Sequence, residues 1–213
     1  METIRGRRSL DLDWNGLTER IAAYNRLILD LGTGDGRYVR CLAERNPNWF
    51  VIGVDSCREN LREHSRAKLP NMLFVIASAQ ALPAELTGLV SHVTINFPWG
   101  SLLESLLTGD ATLMRGLESI SSSRTSVEVR LNGGALAEAG WTLEAGAEQI
   151  YSNLLRAGWL VEAPALMDAT ALRSFPSTWA KRLAFGRDPR AMTLSGWLAN
   201  PLQSIERQSV FSM

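Results

Sequence analysis

The chain has 213 residues, 46% hydrophobic and 21% charged, and its 22 basic residues balance 22 acidic ones. That profile fits a water-soluble globular protein and excludes a collagenous, disordered or disulfide-stapled chain. No apolar run reaches the ~20 residues that span a bilayer, and METIRGRRSLDLDW lacks the apolar core of a secretory signal.

Strand-like and helix-like runs alternate along the chain. RLILDLG (26–32) reads as a first strand and RYVRCLAERNP (37–47) as a helix ended by Pro47. WFVIGVD (49–55) is a second strand, CRENLREHSRAK (57–68) a polar helix and MLFVIAS (72–78) a third strand. LVSHVTINF (89–97) is a fourth strand, followed by a helix over 101–120 with Gly109 as its break. RTSVEVRL (124–131) alternates like a fifth strand, and the Gly-rich residues 132–145 read as a loop or linker. A helix over 145–159 follows, with a stripe at Ile150, Leu154 and Leu155 and an end at Gly158. WLVEAPALM (159–167) is a sixth strand bent near Pro164, STWAKRLAF (177–185) a short helix, AMTLSGWLA (191–199) a seventh strand, and 200–213 a loose tail. This alternation predicts one α/β domain, a seven-stranded doubly wound sheet covered on both faces.

Charge is uneven although it sums to zero. Twenty of the 22 basic residues are arginine, the side chain suited to bidentate phosphate contact. Residues 169–190 carry Arg173, Lys181, Arg182, Arg187 and Arg190 against Asp188 alone. Arg58, Arg62 and Arg66 would form one stripe on a continuous helix, beside an acidic row of Glu59 and Glu63. Cys41 and Cys57 are the only cysteines; their spacing offers no metal site and fits a reducing cytoplasm.

The first strand runs into DLGTGDG, residues 30–36. Glycines let a backbone approach a ligand closely, and Asp55 ends the second strand about 20 residues later, where an acid can accept from ribose hydroxyls. A dinucleotide site needs G-x-G-x-x-G, and the last glycine of that pattern would fall on Arg37. Acids at Asp30 and Asp35 would also repel a pyrophosphate. The observed D-x-G-x-G-x-G resembles motif I of class I S-adenosylmethionine (SAM) methyltransferases. The resemblance implies a Rossmann-like fold and SAM as cofactor, with Asp30 facing its α-ammonium and the turn of Gly32, Thr33 and Gly34 beneath it.

The fourth strand runs into NFPWG (96–100), which resembles the Asn/Asp-Pro-Pro-aromatic signature of enzymes that methylate base nitrogens, with Phe97 in place of the first proline. Pro98 offers a carbonyl acceptor and Trp99 a flat face. Trp179 lies near Lys181, Arg182 and Arg187. An aromatic ring beside cations fits an extruded base whose phosphates are held by the cations. His92 reads as a core residue and His64 as a surface one.

Together, DLGTGDGR, FPWGSLL and SxWAKRLAFGR resemble the 16S ribosomal RNA adenine-N1 methyltransferases over most of residues 1–198. The resemblance implies methylation of a decoding-site adenine in the 30S subunit, aminoglycoside resistance, and a β-hairpin over 1–13. It implies cofactor contacts from Asp30, Gly32, Thr33, Gly34, Asp55, Ala79, Gln80, Ser101 and Ser177. Trp99 and Trp179 would clamp the base, with the Pro98 carbonyl accepting from its amine, and Lys181, Arg182, Arg187 and Arg190 would hold RNA. A monomer without metal or membrane attachment is expected. Three departures stand out: Gln80 replaces a common acid, and the loops after the second helix and the fifth strand are short. Two other readings stay open: a methyltransferase of tRNA or a small molecule, and a non-catalytic RNA-binding relative.

Overall fold

The computed structural model describes residues 1–177 and 190–199. The strands are β1 (Glu2–Arg5), β2 (Arg8–Asp11), β3 (Arg26–Leu31), β4 (Trp49–Asp55), β5 (Met72–Ile76), β6 (Val90–Asn96), β7 (Ser121–Asn132), β8 (Trp159–Val161), β9 (Ala165–Leu166) and β10 (Ala191–Leu198). The α-helices are α1 (Trp14–Ile21), α2 (Arg37–Arg45), α3 (Arg58–Leu61), α4 (Gly100–Thr108), α5 (Ala111–Ile120), α6 (Gly133–Glu138), α7 (Leu143–Arg156) and α8 (Ala169–Ser174).

All ten strands join one sheet in the order β2-β1-β5-β4-β3-β6-β7-β10-β8, with β9 also against β10. The seven expected strands correspond to β3–β10, with β8 at one edge, and the expected hairpin, β1–β2, extends the sheet antiparallel beyond β5. β3 pairs in parallel with β4 on one side and β6 on the other. Strand order therefore reverses at β3, and in an open α/β sheet the crevice beyond that point is where ligands bind. β10 runs antiparallel between β7 and β8.

The apolar runs explain the layering. Leu27, Leu29 and Leu31 of β3 join one cluster with residues of α4, α5 and α7, while Ile28 joins a smaller cluster with Val39 and Ala43 of α2. Consecutive side chains of a strand point to opposite faces, so the central strands are buried on both. Gly109 ends α4 in the left-handed conformation, and the Asp110 carboxylate then caps α5 by accepting from Thr112 N and Leu113 N. The break expected at Gly109 is therefore a paired stop and start.

Four expectations need correction. Residues 132–145 are not simply a linker: Asn132 caps α6, accepting from Ala135 N, and α7 begins at Leu143. The helix expected over 57–68 is only the four-residue α3 and a 3-10 turn, His64–Arg66. Tertiary bonds pull that segment apart, since Arg58 pairs with Glu2 and Ser9 of the hairpin and Ser65 Oγ accepts from Gly6 N at 2.8 Å. The arginine stripe is therefore not formed as one helical face. The sixth strand is two, β8 and β9, separated around Pro164. Helices α1 and α8 were not foreseen; Asp13 and Asp168 cap them. The helix expected over 177–185 falls on residues 178–185 outside the described set, as does the tail 200–213.

Candidate functional site

A cavity of about 390 Å³ opens at the carboxyl ends of β3, β4, β5 and β6. The sequence-predicted residues Asp30, Gly32, Thr33, Gly34, Asp55, Ala79, Gln80, Pro98, Trp99, Ser101 and Ser177 all line it. Trp179, Lys181, Arg182 and Arg187 lie outside the described residues. Arg190 does not line the cavity; its Nη1 donates to Glu144 Oε1 at 2.7 Å.

The turn after β3 is built from backbone. Gly32 and Gly34 take φ of 70° and 58°, a region that costs residues with a Cβ about 1 kcal/mol or more. Gly34 N donates to Asp55 Oδ2 at 2.8 Å and Cys57 N to Asp55 Oδ1 at 2.8 Å. One carboxylate thus ties the turn after β3 to the turn after β4. Burial raises the Asp55 pKa above its ordinary value, and these two backbone donors partly offset the rise.

Asp30 is 1% exposed, at the end of β3. Its Oδ1 accepts from Thr94 Oγ1 and from Asn96 Nδ2, both at 2.7 Å. Burial pushes its pKa up to about 6 against these hydrogen bonds and the more distant charge of Arg130. A buried acid whose direct donors are neutral is the electrostatic complement of a small cation. With the bare glycine backbone beside it and Asp55 at the end of β4, the lining fits a ligand that carries both an ammonium and a ribose. SAM is such a ligand.

Gln80 is committed within the wall: Nε2 donates to Ser105 Oγ at 2.8 Å, and Oε1 accepts from Ser78 Oγ at 2.5 Å. Pro98 and Trp99 form the turn between β6 and α4, and Trp99 remains 43% exposed beside the cavity. Phe97, just before them, has φ of 53°, an outlier for a bulky residue. Its ring is buried and meets Phe175 edge-on at 5.4 Å, while its N donates to Arg130 O at 2.8 Å. Those contacts hold a backbone conformation that costs of order 1–3 kcal/mol.

Sequence reasoning missed Tyr38, Asn60, Ser78 and Asn96, which also line the cavity. Asn96 was legible in principle. It lies two residues after Thr94 on the same strand, so both point to the face of Asp30. Burial pushes the Tyr38 hydroxyl up to about 12. His92 does not line the cavity; it is half-buried with Nδ1 2.7 Å from Ser126 Oγ, and desolvation lowers its pKa. No group of three or more potential metal ligands occurs among the described residues, and none of their helices is long and apolar enough to cross a membrane.

The family model described as NpmA: 16S rRNA (adenine(1408)-N(1))-methyltransferase matches residues 2–197. A 16S rRNA (adenine(1408)-N(1))-methyltransferase of Escherichia coli is 33% identical over 217 residues, covering 92% of this chain and 98% of that one. The crystal structure of the 16S rRNA methyltransferase KamB superposes with a TM-score of 0.84 at 27% identity, over 94% of this chain and 100% of that one. A single-site mutant of the Catenulisporales acidiphilia 16S rRNA (adenine(1408)-N(1))-methyltransferase with cosubstrate SAM gives a TM-score of 0.82 at 26% identity, over 94% and 98%.

Proposed function

The chain belongs to the 16S rRNA (adenine(1408)-N(1))-methyltransferase family, and from that premise we propose that it transfers the SAM methyl group to N1 of adenine 1408 in the 30S subunit, so conferring aminoglycoside resistance. The observation that carries this reading is the convergence on one cavity of the glycine turn, Asp30, Asp55 and the Pro98–Trp99 turn.

When bound, SAM supplies a methyl on a sulfonium, already a strong electrophile. Adenine N1 is neutral near pH 7 and carries an in-plane lone pair, so it needs no base. Positioning in a dry site then supplies most of the catalysis. The titratable groups of the cavity agree with this. Tyr38 stays protonated at neutral pH, and Asp30 is held by Thr94 and Asn96. In this reading Asp30 binds the ammonium, Asp55 the ribose hydroxyls, and Ser101 and Ser177 the methionine end. Ala79 and Gln80 border the adenine of the cofactor. Trp99 stacks on the extruded base from one side and Trp179 from the other, while the Pro98 carbonyl accepts from the exocyclic amine. The product ring is cationic, and tryptophan faces attract cations. Lys181, Arg182, Arg187 and Arg190 hold RNA phosphates. The protein works as a cytoplasmic monomer on the 30S subunit, without a metal.

Methyl transfer from labelled SAM to isolated 30S subunits, followed by primer extension on the 16S rRNA, tests the reading. An N1-methyl blocks pairing, so extension should stop at adenine 1408. Label on free tRNA or metabolites alone, or no label despite RNA binding, would overturn it.

A further inference from the structure

We propose that Arg130 is a positioning residue for the methyl transfer, tying the buried acid of the cofactor cavity to the segment that carries Ser177. The proposal rests on the reading of that cavity as the SAM site. Arg130 lies in β7 with its side chain 13% exposed. Its Nη1 donates to Asn96 Oδ1 at 2.6 Å and its Nη2 lies 2.6 Å from Glu128 Oε1. The guanidinium lies over the Phe175 ring, with Cζ 4.8 Å from the centroid. A planar fork can bond along its edge while stacking on its face; an ammonium cannot do both in this geometry.

Each contact has a consequence. Arg130 has only donors to offer, so the Asn96 end that meets it must be the carbonyl. The Asn96 amide nitrogen is thereby turned toward Asp30, where it donates at 2.7 Å. Arg130 thus sets the orientation of an amide donor to the cavity's buried acid. On its other side, Phe175 is a junction. It stacks on Tyr38 of α2 at 5.0 Å and 10°, meets Phe97 edge-on, and its carbonyl accepts from Ser177 N at 2.8 Å. Phe175 does not itself line the cavity, whereas Tyr38, Phe97 and Ser177 do. Charged and titratable groups that interact with Arg130 are Glu128 on its own strand, Asp30 on β3, His92 on β6 and Tyr38 on α2. Arg130 joins the Asn96 side chain to the Phe175 ring, so the cavity and the 174–177 segment are energetically linked through it.

The test is calorimetric SAM binding to the full chain for wild type, Arg130→Lys, Phe175→Leu and the double variant, with melting curves on each. Arg130→Lys keeps the charge and should melt near wild type. Each single substitution should weaken SAM binding about five- to tenfold, the lower range of coupling between linked sites. The double variant should be no weaker than the worse single, because both cut the same link. Steady-state kinetics should show KM for 30S subunits rising by a similar factor in each. Should Arg130→Lys melt far below wild type, Asn96→Leu replaces it, breaking the chain at its next link. Unchanged SAM affinity in Phe175→Leu, or effects that multiply in the double variant, would overturn the proposal while leaving the SAM site intact. A wild-type chain that binds no SAM would overturn the functional reading and this proposal with it.

Discussion

Two turns face each other across the cavity, and they are built in opposite ways. The turn after β3 places Gly32, Gly34 and Gly36 at positive φ and is held by the end of β4, through the Val54 carbonyl and the Asp55 carboxylate. The turn after β6 places Phe97 at positive φ, directly before a proline, and is held by a ring cluster and a bond to β7. The first is relaxed: glycine adopts its backbone angles without strain, and the adjacent strand β4 braces it. The second is strained and depends on side chains far away in sequence. In the proposed reading the difference separates two tasks: the cofactor is held by an unstrained loop braced on the next strand, whereas the base is placed against it by a turn that senses the rest of the molecule.

Removing the aromatic face of the second turn should have the largest effect. Trp99→Ala should lose about 100-fold or more in kcat/KM on 30S subunits, the upper range for loss of a base stack of ~1–3 kcal/mol, with SAM affinity kept. Near-normal turnover would remove Trp99 from base recognition. Next, Phe97→Gly relieves the strained φ but empties the contact with Phe175. Loss of a buried aromatic costs about 3–5 kcal/mol and relief returns about 1–3, so thermal melts should show net destabilisation of about 2 kcal/mol. A more stable variant would mean that the ring cluster does not hold the turn.

The first turn should fail through binding rather than turnover. Asp55→Ala should weaken SAM about 15-fold, near the lower end of the 1.5–3 kcal/mol of a charged hydrogen bond; calorimetry showing wild-type affinity would remove Asp55 from the site. The mildest test is pH. The Asp30 pKa, raised from 3.8 to about 6, is higher in the folded chain than in the unfolded one. Its contribution to stability therefore falls as pH rises from about 4 to about 6, the window in which the unfolded chain gives up the proton first. Binding a cation has the opposite sign, since it needs the carboxylate. SAM affinity should be flat above about pH 7 and weaken below about 6, and Asp30→Asn should abolish that dependence.

The same contrast explains what the sequence made legible. DLGTGDG and Asp55 could be read locally because the backbone conformation, the acid and their spacing lie in one stretch of chain. All the described residues expected to hold the cofactor or the base line the cavity, and Arg190, expected to hold RNA, does not. Tyr38 and Asn96 escaped because their role comes from adjacency across the β3–β6 pair and the start of α2, not from a motif. Residues 132–145 looked like a linker because glycine and alanine dominate them. There, small residues permit close packing instead: a Cβ at Gly146 would come within 2.4 Å of Leu136 Cδ2. The 57–68 segment has helical composition, but its ion pair and hydrogen bonds to the hairpin outweigh propensity.

The position of β10 has a kinetic consequence. It is the last described strand in sequence, yet it sits between β7 and β8. Until residues 191–198 arrive, β7 is an open edge, and neither neighbour can pair as it does in the finished sheet. During synthesis the glycine turn and its strands can assemble early, whereas Ala191 reaches its place beside Asn132 only when β10 inserts. Completion of the sheet thus acts as an assembly checkpoint: a nascent chain can shape its cofactor loop long before it can present a finished surface to RNA.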